Sequence, residues 1–344
     1  MSGFQGLLGT PIHDIDKWSR YIGDGTWGVC ISQEYVRKLE PGDSFRDWLV
    51  KELGHRIRNK NCKIREFRVR PASHKVCRYE FDGEGFSVIA KFLAKPTGKI
   101  KSYDARKAML NEYYKLRKLE RIIEIPRPIA VNSHFDCVLV TEYIPGTPFS
   151  RHLRNGEDLD EKLKAIARML RRLHKNTRNH YEKDREFEKI RRSLARMPLR
   201  ESTRKRYERR LEKWQKSPLL DINQGCMVHH DATPANYLFH RGRPYAIDFE
   251  LATKHGHCAH DLGILSAEVF HHFAKKGEAD ASIPHIKRFL RSYSRDENEY
   301  RRIKQVLPLY MSYGLLRVAW RSKDLKHREY LIYKAVELVG KPGL

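Results

Sequence analysis

The sequence predicts an α+β fold of two lobes, an antiparallel-sheet N-lobe followed by a mainly helical C-lobe. Two observations predict it. Between residues 63 and 143, short apolar runs recur between turn signals, whereas beyond residue 158 apolar positions recur at helical spacing. The two patterns meet at Pro145-Gly146-Thr147-Pro148, a natural hinge. The expected division is an N-lobe over 1–144, with an extra N-terminal segment 1–60, and a C-lobe over 145–344 with a basic helical insert at 178–218.

Taken in order, residues 1–42 are polar, Gly-rich and without assignable periodicity. Phe45, Trp48, Leu49, Leu53 and Ile57 recur at helical spacing and predict a helix over 44–58. Strands follow near 63–70, 75–82 and 86–93, the last two joined by the turn signal Asp82-Gly83-Glu84-Gly85. Met109, Tyr113, Leu116 and Leu119 share one face of a helix at 103–121, which Ile125-Pro126-Arg127-Pro128 ends. Strands are expected at 128–132 and 136–143. Past the hinge, Leu163, Ile166, Leu170 and Leu173 mark a helix over 158–176. Two basic helices, 182–196 and 201–216, are split by Met197-Pro198. Short strands surround 226–248, and 258–341 reads as four helices.

Charge is the strongest compositional signal. The 344 residues carry 68 Lys/Arg against 43 Asp/Glu, a net +25. Such an excess predicts attraction to a polyanion. A thermophile's ion-paired surface would balance the two signs, so it does not account for the excess. Residues 168–216 alone hold 19 Lys/Arg and 7 Asp/Glu. Arg predominates there, as suits forked contacts to phosphate. Arg185, Lys189, Arg191, Arg192, Arg196, Arg204, Arg206 and Arg210 are the expected RNA-binding side chains. Tyr181, Tyr207 and Trp214 could stack on bases or serve as core. The six cysteines are scattered without a C-x-x-C pair, which predicts reduced thiols and a cytoplasmic protein. No apolar run reaches the length of a membrane span and the N-terminus does not read as a signal peptide, so no stable membrane association is expected.

The chemistry concentrates in Val228-His229-His230-Asp231-Ala232-Thr233-Pro234-Ala235-Asn236 and, twelve residues past Asn236, in Ala246-Ile247-Asp248-Phe249-Glu250. A carboxylate at Asp231 can meet a substrate hydroxyl. Asn236 and Asp248 offer the oxygen ligands that Mg²⁺ takes beside phosphates. A base and two metal ligands are what phosphoryl transfer needs from side chains. Upstream, Lys91 interrupts the apolar strand Phe86-Ser87-Val88-Ile89-Ala90-Lys91-Phe92, a costly position for an unpaired ammonium.

These segments resemble the H-x-D-x-x-x-x-N catalytic loop and the following metal-binding Asp of the protein kinase-like fold. With Pro234 before the Asn and Asp-Phe-Glu after it, they are most similar to the aminoglycoside phosphotransferase and choline kinase branch. That branch usually has Gly where this chain has His230. The resemblance implies an ATP- and Mg²⁺-dependent kinase in which Asp231 is the catalytic base and Asn236 and Asp248 hold the metal. It further implies that Lys91 contacts the α- and β-phosphates and that Glu112 orients it. Backbone near Glu142 and Ile144 would bind adenine. No G-x-G-x-x-G precedes the lysine strand. The turn Pro71-Ala72-Ser73-His74-Lys75 stands there, with Ser73 a candidate phosphate contact.

His229 is expected to support the loop. Lys254-His255-Gly256-His257-Cys258-Ala259-His260-Asp261 offers zinc-ligand residue types at a spacing that matches no common site, so substrate contact or plain loop structure is favoured. Asp261 is expected to cap the following helix. For the acceptor, the charge favours an anion. The kinase core and basic insert resemble archaeal RNA kinases that phosphorylate an internal ribose 2′-hydroxyl of tRNA. The alternatives are a small-molecule or glycolipid sugar kinase and an RNA-binding pseudokinase.

Overall fold

In a computed structural model, the structure describes residues 32–94 and 103–341. Most of the segment 1–42, and with it Cys30, lies outside the described residues. Its described end forms a strand that periodicity did not reveal, β1 (Ser32–Leu39). Six of its eight residues are exposed, so no alternating apolar pattern marks it. It is recruited by pairing antiparallel to β2 (Ile64–Arg70).

Between them runs α1 (Ser44–Leu53). It starts where the Asp43 carboxylate accepts from the N–H groups of Phe45 and Arg46. It ends at Gly54 (φ +53°), short of the expected residue 58, and a single 3₁₀ turn continues to Arg56. β3 (Lys75–Phe81) and β4 (Phe86–Phe92) form the expected hairpin, with Gly83 and Gly85 at positive φ in its turn. Next come α2 (Ala105–Leu119), β5 (Pro128–Asn132) and β6 (Val138–Glu142). The sheet order is β1-β2-β3-β4-β6-β5, every pair antiparallel. One face covers a core of Leu49, Leu53, Tyr79, Phe81, Val88 and Val140 beneath α1.

The hinge residues Thr147–Pro148 form β7, and α3 (Phe149–Asn155) and α4 (Leu159–Asn176) follow. β8 (Asn179–His180) leads into the basic helices α5 (Lys183–Arg196) and α6 (Glu201–Gln215). β9 (Gln224–Val228), β10 (Tyr237–His240), β11 (Arg243–Ala246) and β12 (Thr253–Gly256) carry the catalytic motifs. They lie in two small sheets, β11-β10-β7 and β12-β9-β8. Four helices close this half: α7 (Ala259–Lys275), α8 (Ser282–Tyr293), α9 (Glu297–Arg321) and α10 (Leu325–Val339).

α7 and α9 meet at two glycines. A Cβ on Gly263 would stand 2.4 Å from Tyr310 Cβ, and one on Gly314 would stand 2.6 Å from Ala267 Cβ. Glycine there lets the backbones approach until α9 reaches the motifs. Tyr207 and Trp214 of α6 are fully buried; Tyr207 Oη bonds Ser312 and Trp214 Nε1 donates to the Val339 carbonyl. They are core, not base-stacking side chains. The five described cysteines are free, and no helix among the described residues is long and apolar enough to cross a membrane.

Candidate active site

The N-terminal half supplies Lys91. Its Nζ lies 2.9 Å from Glu112 Oε2, 2.8 Å from Asp248 Oδ1 and 3.0 Å from Glu250 Oε2. Register explains the first contact: Lys91 stands in β4 opposite Val76 and Leu139, and buried Glu112 projects from α2. Burial opposes the ammonium, yet Asp248, Glu112 and Glu250 together hold its pKa well above the usual lysine range. Burial pushes the Glu112 carboxyl up against the pull of Lys91.

Glu250 was not singled out as a site residue by the sequence. Burial would raise its pKa, but the hydrogen bond from His74 and the Lys91 charge pull it down to about 2. His74 Nε2 lies 2.9 Å from Glu250 Oε2. In the turn that replaces a glycine-rich loop, His74 is therefore the inward, buried residue, whereas Ser73 is exposed. Ser73 is the free side chain of that turn. At the end of β6, the Glu142 and Tyr143 amides are engaged by the Arg127 and Ser87 carbonyls. The Glu142 carbonyl accepts from Thr141 Oγ1 and the Ile144 carbonyl from the Gly146 N–H.

The second cluster lies on the loop between β9 and β10. Asn236 Nδ2 donates to the Asp231 carbonyl and to Asp231 Oδ2, both at 2.8 Å. These bonds orient the loop and leave the amide oxygen of Asn236 as the atom it can offer a cation. The β10–β11 ladder pairs Tyr237 with Ala246, and Ile247 N–H donates to the Asn236 carbonyl. Asn236 and Asp248 therefore stand together at the open end of one hairpin. An amide oxygen and a carboxylate are donors Mg²⁺ accepts, so this pair fits that ion. The buried group Glu112, Asp248 and Glu250 also converges, but Lys91 already supplies the cation at its centre.

His230 takes the position where glycine is usual in the resembling branch, and its φ of 64° lies in the left-handed region. The backbone is clamped there from both sides. Asp261 Oδ1 accepts from its N–H at 3.0 Å, and Arg317 Nη1 donates to its carbonyl at 2.6 Å. Asp261 also accepts from His229 N–H at 2.7 Å and meets His174 Nε2 at 3.1 Å. It lies inside the first turn of α7 and braces the catalytic loop, so the expected helix cap is corrected. Burial would raise its pKa, but His174, His229 and His260 hold it below the usual range. His229 Nε2 meets the Ile247 carbonyl at 2.9 Å, a supporting contact of the kind expected.

Arg317 was invisible to motif reading. Its Nη2 lies 2.5 Å from Asp231 Oδ1. Burial would raise the Asp231 pKa, but Arg317, Arg321 and His229 draw it below the ordinary aspartate value. A narrow crevice beside the loop is lined by Glu182, Arg185, Glu186, Lys189, His230, Thr253, His255 and Gly256. Burial also pushes the His230 pKa well down, with His260, Lys189 and Arg317 adding repulsion. The His230 ring joins Thr253 Oγ1 to His260, which reaches buried Glu186 of α5. The basic helix is thus wired to the catalytic loop by a carboxylate.

The proposed RNA-binding set divides accordingly. Arg204 donates to the Leu194 and Met197 carbonyls, and Arg210 to the Val336 carbonyl. Both are structural fasteners at helix ends, which corrects their assignment to a docking face. Arg191 bonds Gln215, Arg185 pairs with Glu182, and Arg192 pairs with Glu188. Arg196 and Arg206 are exposed.

A sheet and a helical half meeting at an ammonium–carboxylate cluster and an Asp/Asn loop define a kinase-like phosphotransferase fold. The phosphotransferase enzyme family matches residues 76–304. The chain belongs to that family: it is an ATP-dependent phosphotransferase with a hydroxyl acceptor, and ATP and Mg²⁺ are its cofactors. No curated protein matches the chain. Among solved structures, it is similar to the amicoumacin kinase hAmiN bound to AMP-PNP, Ca²⁺ and amicoumacin. The identity there is 18%, the TM-score 0.51, and the coverage 80% of this chain and 89% of that one. It is also similar to the AMP complex of LicA, a choline kinase of Streptococcus pneumoniae (16%, TM-score 0.51, coverage 87% and 99%). A third is an ethanolamine kinase of Plasmodium vivax (13%, TM-score 0.51, coverage 80% and 81%). These likenesses concern the fold.

Proposed function

We propose that the protein transfers the γ-phosphoryl group of ATP to a hydroxyl of a small anionic acceptor, such as a sugar bearing phosphate or carboxylate groups. The observation that carries this reading is the cationic acceptor side of Asp231. Arg317 grips the carboxylate, Arg321 adds to its field, and Lys189 faces the adjoining cleft beside His230. Among the described residues Lys189 forms no ion pair, and burial lowers its pKa. An incoming anion would give its ammonium a partner. Choline and aminoglycosides are cations, which the guanidinium groups beside Asp231 disfavour.

In the reaction, Lys91 orients the α- and β-phosphates and Glu112 orients Lys91. Asn236 and Asp248 would hold Mg²⁺, which neutralises charge developing on the transferred group. Asp231 accepts the hydroxyl proton, and its position relative to the acceptor is set by Arg317 and Asn236. The backbone at Glu142 and Ile144 receives adenine.

A second reading, transfer to an internal ribose 2′-hydroxyl of RNA, draws on one observation. Lys205, Arg206 and Arg209 line a shallow groove on α6. Glu208 and Glu212 share that groove, which weakens its pull on a polyanion.

The test is transfer of label from γ-³²P-ATP with Mg²⁺ to sugar phosphates, glycolipids, total tRNA and aminoglycosides, each with wild type and Asp231→Ala. Label on a small anionic acceptor, lost with the variant, is the expected result. Label on tRNA alone would transfer the conclusion to the second reading. Label confined to aminoglycosides would overturn both.

A further inference from the structure

We propose that His180, Glu182 and His255 form a binding site for a zinc-class divalent ion on the wall of the cleft beside the catalytic loop. The His-rich stretch after Asp248 contains only one of these residues, so its spacing could not reveal the site. The fold supplies the other two from β8 and the start of α5.

The ligand atoms converge. His180 Nε2 lies 3.2 Å and His255 Nε2 3.6 Å from the same oxygen, Glu182 Oε1. Bonds of about 2.0–2.1 Å in tetrahedral geometry place ligand atoms about 3.3 Å apart. All three ligand atoms lie within 4.8 Å of one another.

The outer contacts point the same way. His255 Nδ1 lies 3.2 Å from the His180 carbonyl, an acceptor only. His180 Nδ1 lies 3.1 Å from Asn179 Oδ1, and the His180 backbone N–H donates to that same atom, which identifies it as the oxygen. Both Nδ1 atoms therefore carry a proton, and each Nε2 faces the carboxylate. Either a proton on each Nε2 or one metal ion among the three atoms satisfies that arrangement, and the metal would replace both protons. A histidine holding metal through Nε2 with Nδ1–H on an oxygen is the usual supported arrangement. Arg185 pairs with Glu182 Oε2 at 2.8 Å, which fixes the carboxylate and leaves Oε1 inward.

The frame is rigid. β8 and β12 flank β9 in one sheet, and Glu182 N–H donates to the His255 carbonyl. A Cβ on Gly225 of β9 would stand 3.1 Å from the His180 carbonyl and 2.9 Å from that of Gly256. Glycine there lets the two histidine strands close on each other. Two imidazoles and one carboxylate leave coordination positions open, the pattern of ions that also meet a substrate or water. Glu182 and His255 line the cleft that His230 shares.

The experiment uses the full chain, stripped by chelator and then titrated with Co²⁺ or Zn²⁺ alone. Co²⁺ is read by its visible d–d absorption, and Zn²⁺ by the metal retained after gel filtration. One equivalent per chain is expected. His180→Asn and His255→Ala should each weaken binding at least tenfold, whereas Asp248→Asn should keep it. His180 is largely exposed, so His180→Asn should leave the melting temperature unchanged and separates loss of a ligand from loss of the fold. Absence of retained metal in wild type, retention undiminished in both histidine variants, or loss only in Asp248→Asn would each overturn the assignment.

Discussion

Arg317 holds two consecutive residues of the catalytic loop at once: Nη1 on the His230 carbonyl at 2.6 Å and Nη2 on Asp231 Oδ1 at 2.5 Å. The guanidinium comes from α9, 86 residues beyond Asp231 in sequence. One planar fork fixes both the carboxylate and the left-handed backbone before it. Lysine, a single point charge, cannot do both.

Arg317→Lys should therefore keep the charge but loosen the loop. We expect kcat for phosphoryl transfer, read as slow ATP hydrolysis until the acceptor is known, to fall about a hundredfold, the scale of a misplaced reacting group. ATP affinity should change little. An unchanged kcat would show that Asp231 is held well enough by Asn236.

Lys91→Ala should weaken MgATP binding by roughly ten- to a hundredfold, since a charge-assisted hydrogen bond contributes about 1.5–3 kcal/mol. It also leaves Glu112, Asp248 and Glu250 facing one another. Isothermal titration with a non-hydrolysable ATP analogue measures the loss. Affinity equal to wild type would remove Lys91 from the nucleotide site.

Glu250 makes stability depend on acid. Its pKa is depressed to about 2 in the folded chain, so its contribution is complete above the ordinary carboxylate value and is lost as pH falls toward 2. The shift corresponds to roughly 3 kcal/mol. Glu250→Gln should flatten the stability profile between about pH 5 and pH 2 in urea titrations. A slope identical to wild type would contradict the His74 and Lys91 contacts.

Asp261→Asn keeps the shape but replaces one acceptor oxygen by a donor. One of the His229 or His230 amides then loses its partner, which should cost about 1–3 kcal/mol in urea unfolding. A smaller loss would mean that the loop is braced elsewhere.

The basic helices separate two kinds of arginine. Arg204→Ala and Arg210→Ala should destabilise by about 1–2 kcal/mol, because each leaves helix-end carbonyls unpaired. Arg206→Glu with Arg209→Glu should stay within about 0.5 kcal/mol of wild type. Only the second pair therefore reports on polyanion binding without disturbing the fold. If it leaves the salt dependence of RNA binding unchanged, the groove on α6 plays no part in it.

The order of elements around the site is legible in the chain before any folding is considered. Spacing between Asp231, Asn236 and Asp248 survives translation into structure because a loop and the following hairpin are local, and pairing of Tyr237 with Ala246 does the rest. The isolated lysine in β4 signalled a buried partner because an unpaired ammonium in an apolar strand is costly. The tertiary structure decided everything carried by long-range contacts. Arg317 and Asp261 carry no motif; they reach the loop because Gly263 and Gly314 let α9 settle on α7. β1 has no apolar alternation and exists only through pairing with β2. Arg204 and Arg206 are indistinguishable in the sequence, two residues apart on one helix. A rotation of roughly 200° about that helix turns one toward backbone carbonyls and the other toward solvent. Local geometry is encoded by neighbours in the chain, whereas charge acquires a role only from what the fold brings against it.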